Sequence, residues 1–133
     1  MKVGIKNLVL IFILILFSVS TFAQKEGAIW YFGYGAGLDF TSHYPKPLTD
    51  GQLETREGVA TISDSKGNLL LYTDGTSVWN KLHQVMDNGT GLFGNVSSTQ
   101  SSMVVPKPGS PSIYYIFTVD EVGSPASPGR GLH

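Results

Sequence analysis

The sequence predicts an all-β chain of antiparallel four-stranded meanders, and three observations carry that expectation. Beyond residue 23 no segment repeats its apolar residues at helical spacing over the roughly ten positions a helix needs. Short runs rich in Val, Ile, Thr, Tyr and Phe alternate instead with turn residues, and glycine supplies 16 of the 133 positions. A strand, loop, strand and Asp pattern also occurs twice, with 43 positions from Ile62 to Val105 and 46 from Asp74 to Asp120.

The first element is a targeting segment. Lys2 and Lys6 precede the apolar run "LVLIFILILF" (Leu8 to Phe17), and small residues follow at Thr21 and Ala23. That is the layout of a secretory signal peptide over residues 1–23, with cleavage expected between Ala23 and Gln24. At about 1.5 Å per residue the apolar run covers roughly 15 Å, half of a hydrocarbon core about 30 Å thick, so no stable membrane span is expected. The remainder, 24–133, carries seven basic against ten acidic side chains and no cysteine. Disulfides are therefore excluded, and the scattered Lys and Arg form no basic face of the kind that binds nucleic acid.

Within 24–133, Ile29 to Phe32 reads as a leading strand. The glycines of "GYGAG" (Gly33 to Gly37) read as a bend that takes it toward Leu38-Asp39-Phe40. Val59 to Met86 reads as a meander. Val59 to Ser63 is a strand, Asp64 to Asn68 a hairpin loop, and Leu69 to Thr73 the partner. Asp74-Gly75 predicts a type I′ turn into Thr76 to Trp79. Asn80 to Leu82 turns again into His83 to Met86, and Asp87-Asn88-Gly89 closes the unit. Because Leu69, Leu70, Leu71 and Tyr72 are consecutive, apolar side chains must point to both faces, and the meander needs a neighbour on each. A second unit begins with Met103 to Val105, loops through Pro106 to Ser112 and returns along Ile113 to Val119.

Units of about four strands repeating every 40–45 residues have the scale of a propeller blade in WD-repeat-like folds. The expectation is thus an incomplete β-propeller of about one and a half blades, with 24–133 as the N-terminal fragment of that domain. Two units cannot close a ring, and "EVGSPASPGRGLH" ends without a final strand.

Little in the sequence points to catalysis. "GYGAG" lacks the third glycine and the following helix that a dinucleotide fingerprint needs, and no Gly-Lys-Ser/Thr of a P-loop occurs. Ser97 to Ser102 is hydroxyl-rich but sits in no Gly-x-Ser-x-Gly elbow, and reads as a loop between units. His43, His83 and His133 are isolated, so neither a metal nor a cofactor is expected. Asp64, Asp74 and Asp87 beside glycine or asparagine are accounted for by turn formation. Asp87 to Gly91 gathers oxygens but lacks the spacing of a calcium loop. Trp79, Asn80 and His83 form the most ligand-like group, one aromatic face with two polar tips at a turn, although core packing also accounts for Trp79.

The phrases "IWYFGYGAGLDF", "LTDGQLETREGVATISDSKGNLLLYTDGTSVWNKLHQVM" and "GNVSSTQSSMVVPKPGSPSIYYIFTVD" resemble the N-terminal propeller-like region of gliding motility-associated surface proteins that carry a type IX secretion sorting domain. The resemblance spans Ala28 to Asp120. It implies an exported, cell-surface or secreted protein acting as a non-catalytic binding or adhesion module for an extracellular glycan or protein. It carries no catalytic residues over to this stretch. The later modules and the sorting domain are not within these 133 residues. An alternative is the N-terminal part of an exported propeller-type hydrolase, glycan- or peptide-directed, with its catalytic residues further along the chain.

Overall fold

A computed structural model describes residues 25–121; the expected signal peptide and the residues from 122 onward lie outside them. The described chain is all-β, apart from one 3-10 turn at Lys25–Gly27. Nine strands form three antiparallel sheets. The first sheet orders β1 (Ile29–Phe32), β2 (Ala36–Asp39) and β3 (Lys46–Leu48). The second orders β4 (Ala60–Ser63), β5 (Leu69–Thr73), β6 (Ser77–Asn80) and β7 (Val85–Thr90). The third pairs β8 (Ser102–Pro106) with β9 (Tyr114–Thr118). Among the described residues no sheet closes on itself.

The expected four-stranded meander is present, and so is its need for two neighbours. Tyr72 is buried with Ile29, Tyr31 and Leu53 against the first sheet, whereas Leu71 is buried with Ile62 and Val78 against Val104, Tyr114 and Ile116 of the third. A bulge in β5 sorts the leucines between these faces. Ile62 pairs with Leu71 but Ser63 pairs with Leu69, which leaves Leu70 as the extra residue. Leu69 and Tyr72 accordingly pack on one side while Leu70 and Leu71 share the other. Full burial of one such side chain stabilises by about 1.5–3 kcal/mol, so four residues in a row anchor both interfaces.

Four sequence expectations are corrected. "GYGAG" is more than a bend: Gly33 (φ 59°) and Gly35 (φ 72°) make the turn of a hairpin, and Ala36 to Asp39 return as β2 alongside β1. Gly37 lies opposite Tyr31, and a Cβ there would fall 2.6 Å from the Trp30 carbonyl oxygen and 2.9 Å from the Tyr31 ring. The third strand, β3, contains Pro47 and gave no strand signal, yet an edge position tolerates proline.

The third correction concerns Asp74-Gly75, which does not form a type I′ turn. Only Gly75 has positive φ, and the Asp74 carboxylate accepts from Thr76 N, Ser77 N and Thr76 Oγ1, each at 2.8 Å. The longer loop shifts the register by two, so Tyr72 faces Trp79 and Thr73 faces Val78. Fourth, His83 is not in a strand and Asp87-Asn88-Gly89 do not end one. His83 belongs to the loop before β7, and β7 runs through Asp87, Asn88 and Gly89 to Thr90. Asn88 takes φ 57°, in keeping with the irregular register between β6 and β7.

The hydroxyl-rich Ser97 to Ser102 segment connects the second and third sheets. Ser101 and Ser102 are buried, and the Ser101 hydroxyl donates to the Asp74 carbonyl at 2.5 Å. The first strands of the three sheets lie side by side, β1 next to β4 and β4 next to β8. The Tyr31 amide donates across the first of these seams to Thr61 Oγ1 at 3.1 Å.

Candidate functional site

Two places in the molecule gather chemistry, and the first contains the residues singled out by sequence. Trp79 is half-buried on β6 and stacks on Tyr72 of β5, with ring centroids 5.5 Å apart and planes 11° apart. Asn80 shapes the following loop, because its Oδ1 accepts from Leu82 N at 2.8 Å and Gln84 N at 3.2 Å. That loop holds His83 in the left-handed region, φ 59°, and turns its ring back over the aromatic stack. The structure therefore brings the three together at one end of the sheet, with Trp79 and His83 both packed against Tyr72 and Asn80 occupied by the loop.

Sequence reasoning missed the other members of this cluster. His83 Nδ1 is 3.1 Å from the Tyr72 hydroxyl and its Nε2 is 3.3 Å from Asp50 Oδ2. Asp50 Oδ1 accepts from the Tyr31 hydroxyl at 2.7 Å, and the rings of Tyr31 and Tyr72 stack at 4.7 Å. Since Gln52 N donates to the Tyr72 oxygen at 3.2 Å, the phenol proton is free for His83 Nδ1. No spacing rule links residues 31, 50, 72 and 83; only the corrected register that sets Tyr72 beside Trp79 hints at the stack.

The electrostatics follow from these contacts. The hydrogen bond from Tyr31 holds the Asp50 carboxyl below the usual carboxylate range, with His83 adding to the effect. Burial, then the bond to Asp50, pushes the Tyr31 phenol well above its ordinary value. Burial likewise raises Tyr72. Asp50, His83 and Tyr72 are connected like a carboxylate, imidazole and hydroxyl relay, but Tyr72 is fully buried and offers no oxygen to a substrate. What the cluster does is lock a loop tip and a linker onto a stacked aromatic core.

The second place is an open cavity of about 410 Å³ where β1, β4 and β8 converge. Trp30 and Phe32 of β1, Thr61 of β4, and Gln100, Ser102 and Met103 around β8 line it, and no charged side chain does. Trp30 is 54% exposed yet fixed, since its Nε1 donates to the Gly27 carbonyl at 2.8 Å and its ring packs on Phe40 at 5.1 Å. Strand alternation exposes it, with Ile29 and Tyr31 turned inward and Trp30 and Phe32 outward. An immobilised indole face with hydroxyl and amide groups nearby suits a neutral ligand that stacks and hydrogen-bonds.

Among the described residues no three His, Asp or Glu side chains gather to hold a metal, and no helix is long and apolar enough to cross a membrane. Comparison with protein-family models, curated proteins and solved structures finds no match to this chain.

Proposed function

We propose that this chain is a propeller-like, non-catalytic binding module of an exported cell-surface protein, and that it takes an uncharged glycan at the cavity between the first strands of its sheets. The observation that carries the reading is the convergence of β1, β4 and β8 on one open cavity. Successive sheets that meet by their first strands and stack by their faces are what blades about a central axis would present. The cavity has the composition of a sugar platform: the fixed Trp30 ring, Phe32, and the polar Thr61 and Gln100. Its lack of charge favours neutral sugars over phosphorylated or acidic ligands.

The test is calorimetric titration of the chain with a panel of neutral and acidic oligosaccharides, repeated with Trp30→Ala and with a reducing-sugar assay for turnover. Binding of a neutral glycan, lost in the variant and unaccompanied by hydrolysis, is the expected result. Loss of one aromatic stacking platform weakens affinity by about 1–2 kcal/mol, roughly five- to thirtyfold. Hydrolysis by the wild type would overturn the non-catalytic reading in favour of an exported hydrolase. Binding insensitive to Trp30 would move the ligand away from this cavity.

A further inference from the structure

The polar side chains around the cavity between β1, β4 and β8 are few, and their hydrogen-bonding capacity can be counted. The Trp30 indole N–H is spent on the Gly27 carbonyl, so the ring offers the cavity its face alone. Ser102 Oγ is buried and directed at the Thr73 carbonyl, 3.5 Å away. Thr61 Oγ1 accepts from Tyr31 N at 3.1 Å, and a hydroxyl that accepts still has its own proton to give. Gln100 Nε2 donates to the Ser102 carbonyl at 2.8 Å and keeps one further proton. Because a carbonyl takes only a donor, that bond settles which end of the carboxamide faces Ser102, and Oε1 is the end turned away. The cavity wall therefore holds an oriented acceptor on Gln100 and a donor on Thr61.

The two lie on different stretches of chain that run side by side. Arg56 N donates to Val96 O at 3.2 Å and Gly58 N to Ser98 O at 3.0 Å, so the chain entering β4 and the chain entering β8 run in the same direction. A Cβ on Gly58 would fall 2.9 Å from the Gln100 Cα, which sets Gln100 beside Gly58, about 10 Å before Thr61 along an extended strand. The bond to Ser102 carries the Gln100 carboxamide forward along that direction, toward the level of Thr61. Phe32 and the half-exposed Met103 add apolar surface to the same wall.

We infer that the ligand of this cavity is an N-acetylated amino sugar, its ring stacked on Trp30 and its acetamido group held between Gln100 and Thr61. The acetamido N–H donates to Gln100 Oε1, and its carbonyl accepts from the Thr61 hydroxyl. The inference rests on the glycan reading above and narrows it to one class. A secondary amide is planar and trans, so its N–H and C=O leave from opposite sides, and it needs an acceptor on one strand and a donor on another. Its methyl group needs apolar surface, which Phe32 and Met103 supply. A hydroxyl in the same position leaves that surface facing a polar group, and an ammonium finds no carboxylate lining the cavity.

The probes are chitotriose, cellotriose and the glucosamine trimer, which share one backbone and differ only in the substituent on the second ring carbon: acetamido, hydroxyl or amino. Calorimetric titration of the full chain should show chitotriose binding about tenfold more tightly than either of the others. In saturation-transfer NMR the acetyl methyl should receive more saturation than the ring protons that point away from Trp30. Gln100→Ala, at an exposed position, should bring chitotriose and cellotriose within about threefold of each other with the circular dichroism spectrum unchanged. Met103→Ser, also exposed, should reduce the same preference by removing the methyl contact. Cellotriose binding as tightly as chitotriose, or a preference untouched by both variants, would overturn the acetamido assignment and leave the glycan reading standing. So would binding of some other neutral oligosaccharide with no response to chitotriose. Absence of binding by every neutral oligosaccharide would overturn both.

Discussion

The two faces of the second sheet are buried by different means. On one, Tyr31, Tyr72 and Trp79 stack in sequence and the hydroxyls of the two tyrosines are tied by Asp50, Gln52 and His83. On the other, Ile62, Leu71 and Val78 meet Leu70, Leu92, Val104, Ile116 and the ring of Tyr114, and all of these but Tyr114 are aliphatic side chains with no hydrogen bonds to make. The aromatic face is directional, because each phenol or imidazole has one geometry in which its donor and acceptor are both met. The aliphatic face is held by area alone, and area accepts any apolar partner of the right size. The directional face is closed by its own linker, whereas the non-directional one continues into an open groove. Directional contacts and an open groove are thus placed on opposite sides of one sheet.

The largest effect that would break this contrast comes from truncating the two sides in turn. Tyr72→Ala should cost about 3–5 kcal/mol in urea unfolding, since it removes the ring on which Tyr31, Trp79 and His83 all pack. Leu71→Ala should cost about 2–5 kcal/mol, and Leu71→Met less than about 1.5 kcal/mol, because the aliphatic face senses volume and not shape. Tyr72→Phe sharpens the comparison further. It keeps the stack but leaves Gln52 N and His83 Nδ1 unpaired, at about 1–3 kcal/mol.

A smaller effect concerns pH, and only the directional face should show it. Asp50 is held below its unfolded value, so its contribution is present above about pH 4 and is lost as pH falls through the lower folded value. Tyr31 is held above its unfolded value, so its contribution is present below about pH 10 and is lost as pH rises through the folded value. Urea midpoints measured against pH for the wild type and Asp50→Asn should differ in slope on the acid side. Equal slopes would remove Asp50 from the account. The smallest effect is expected from Trp30→Ala, whose ring is exposed: stability within about 0.5 kcal/mol of wild type, with any change confined to ligand binding.

Much of the fold was legible because β-strands write their faces into alternate residues. Ile29 and Tyr31 inside with Trp30 and Phe32 outside is such a record, and so is the demand of Leu69 to Tyr72 for two neighbours. Less legible were strands whose side chains carry no alternation. β2 is "AGLD" and β7 runs through Asp-Asn-Gly, residues that read as turn formers but are paired into sheets, with Asn88 left-handed within its strand. The site was legible only in part. Trp79, Asn80 and His83 are neighbours in sequence, yet Asp50 and Tyr31 reach His83 from other elements, and nothing local marks them. The register of the Asp74 loop decided the rest, because one carboxylate capping three donors outweighed the preference of Asp-Gly for a tighter turn.

The bulge at Leu70 has a consequence for insertions and deletions. Leu69, Leu70 and Leu71 are chemically identical, so deleting any one of them yields the same protein, and no variant can discriminate which residue was lost. What changes is parity: with one leucine fewer, β5 returns to strict alternation, and the two leucines that remain must divide between the faces where three had divided unequally. The count of leucines, and not the identity of any one of them, therefore keeps the aromatic and aliphatic interfaces in phase along a single strand.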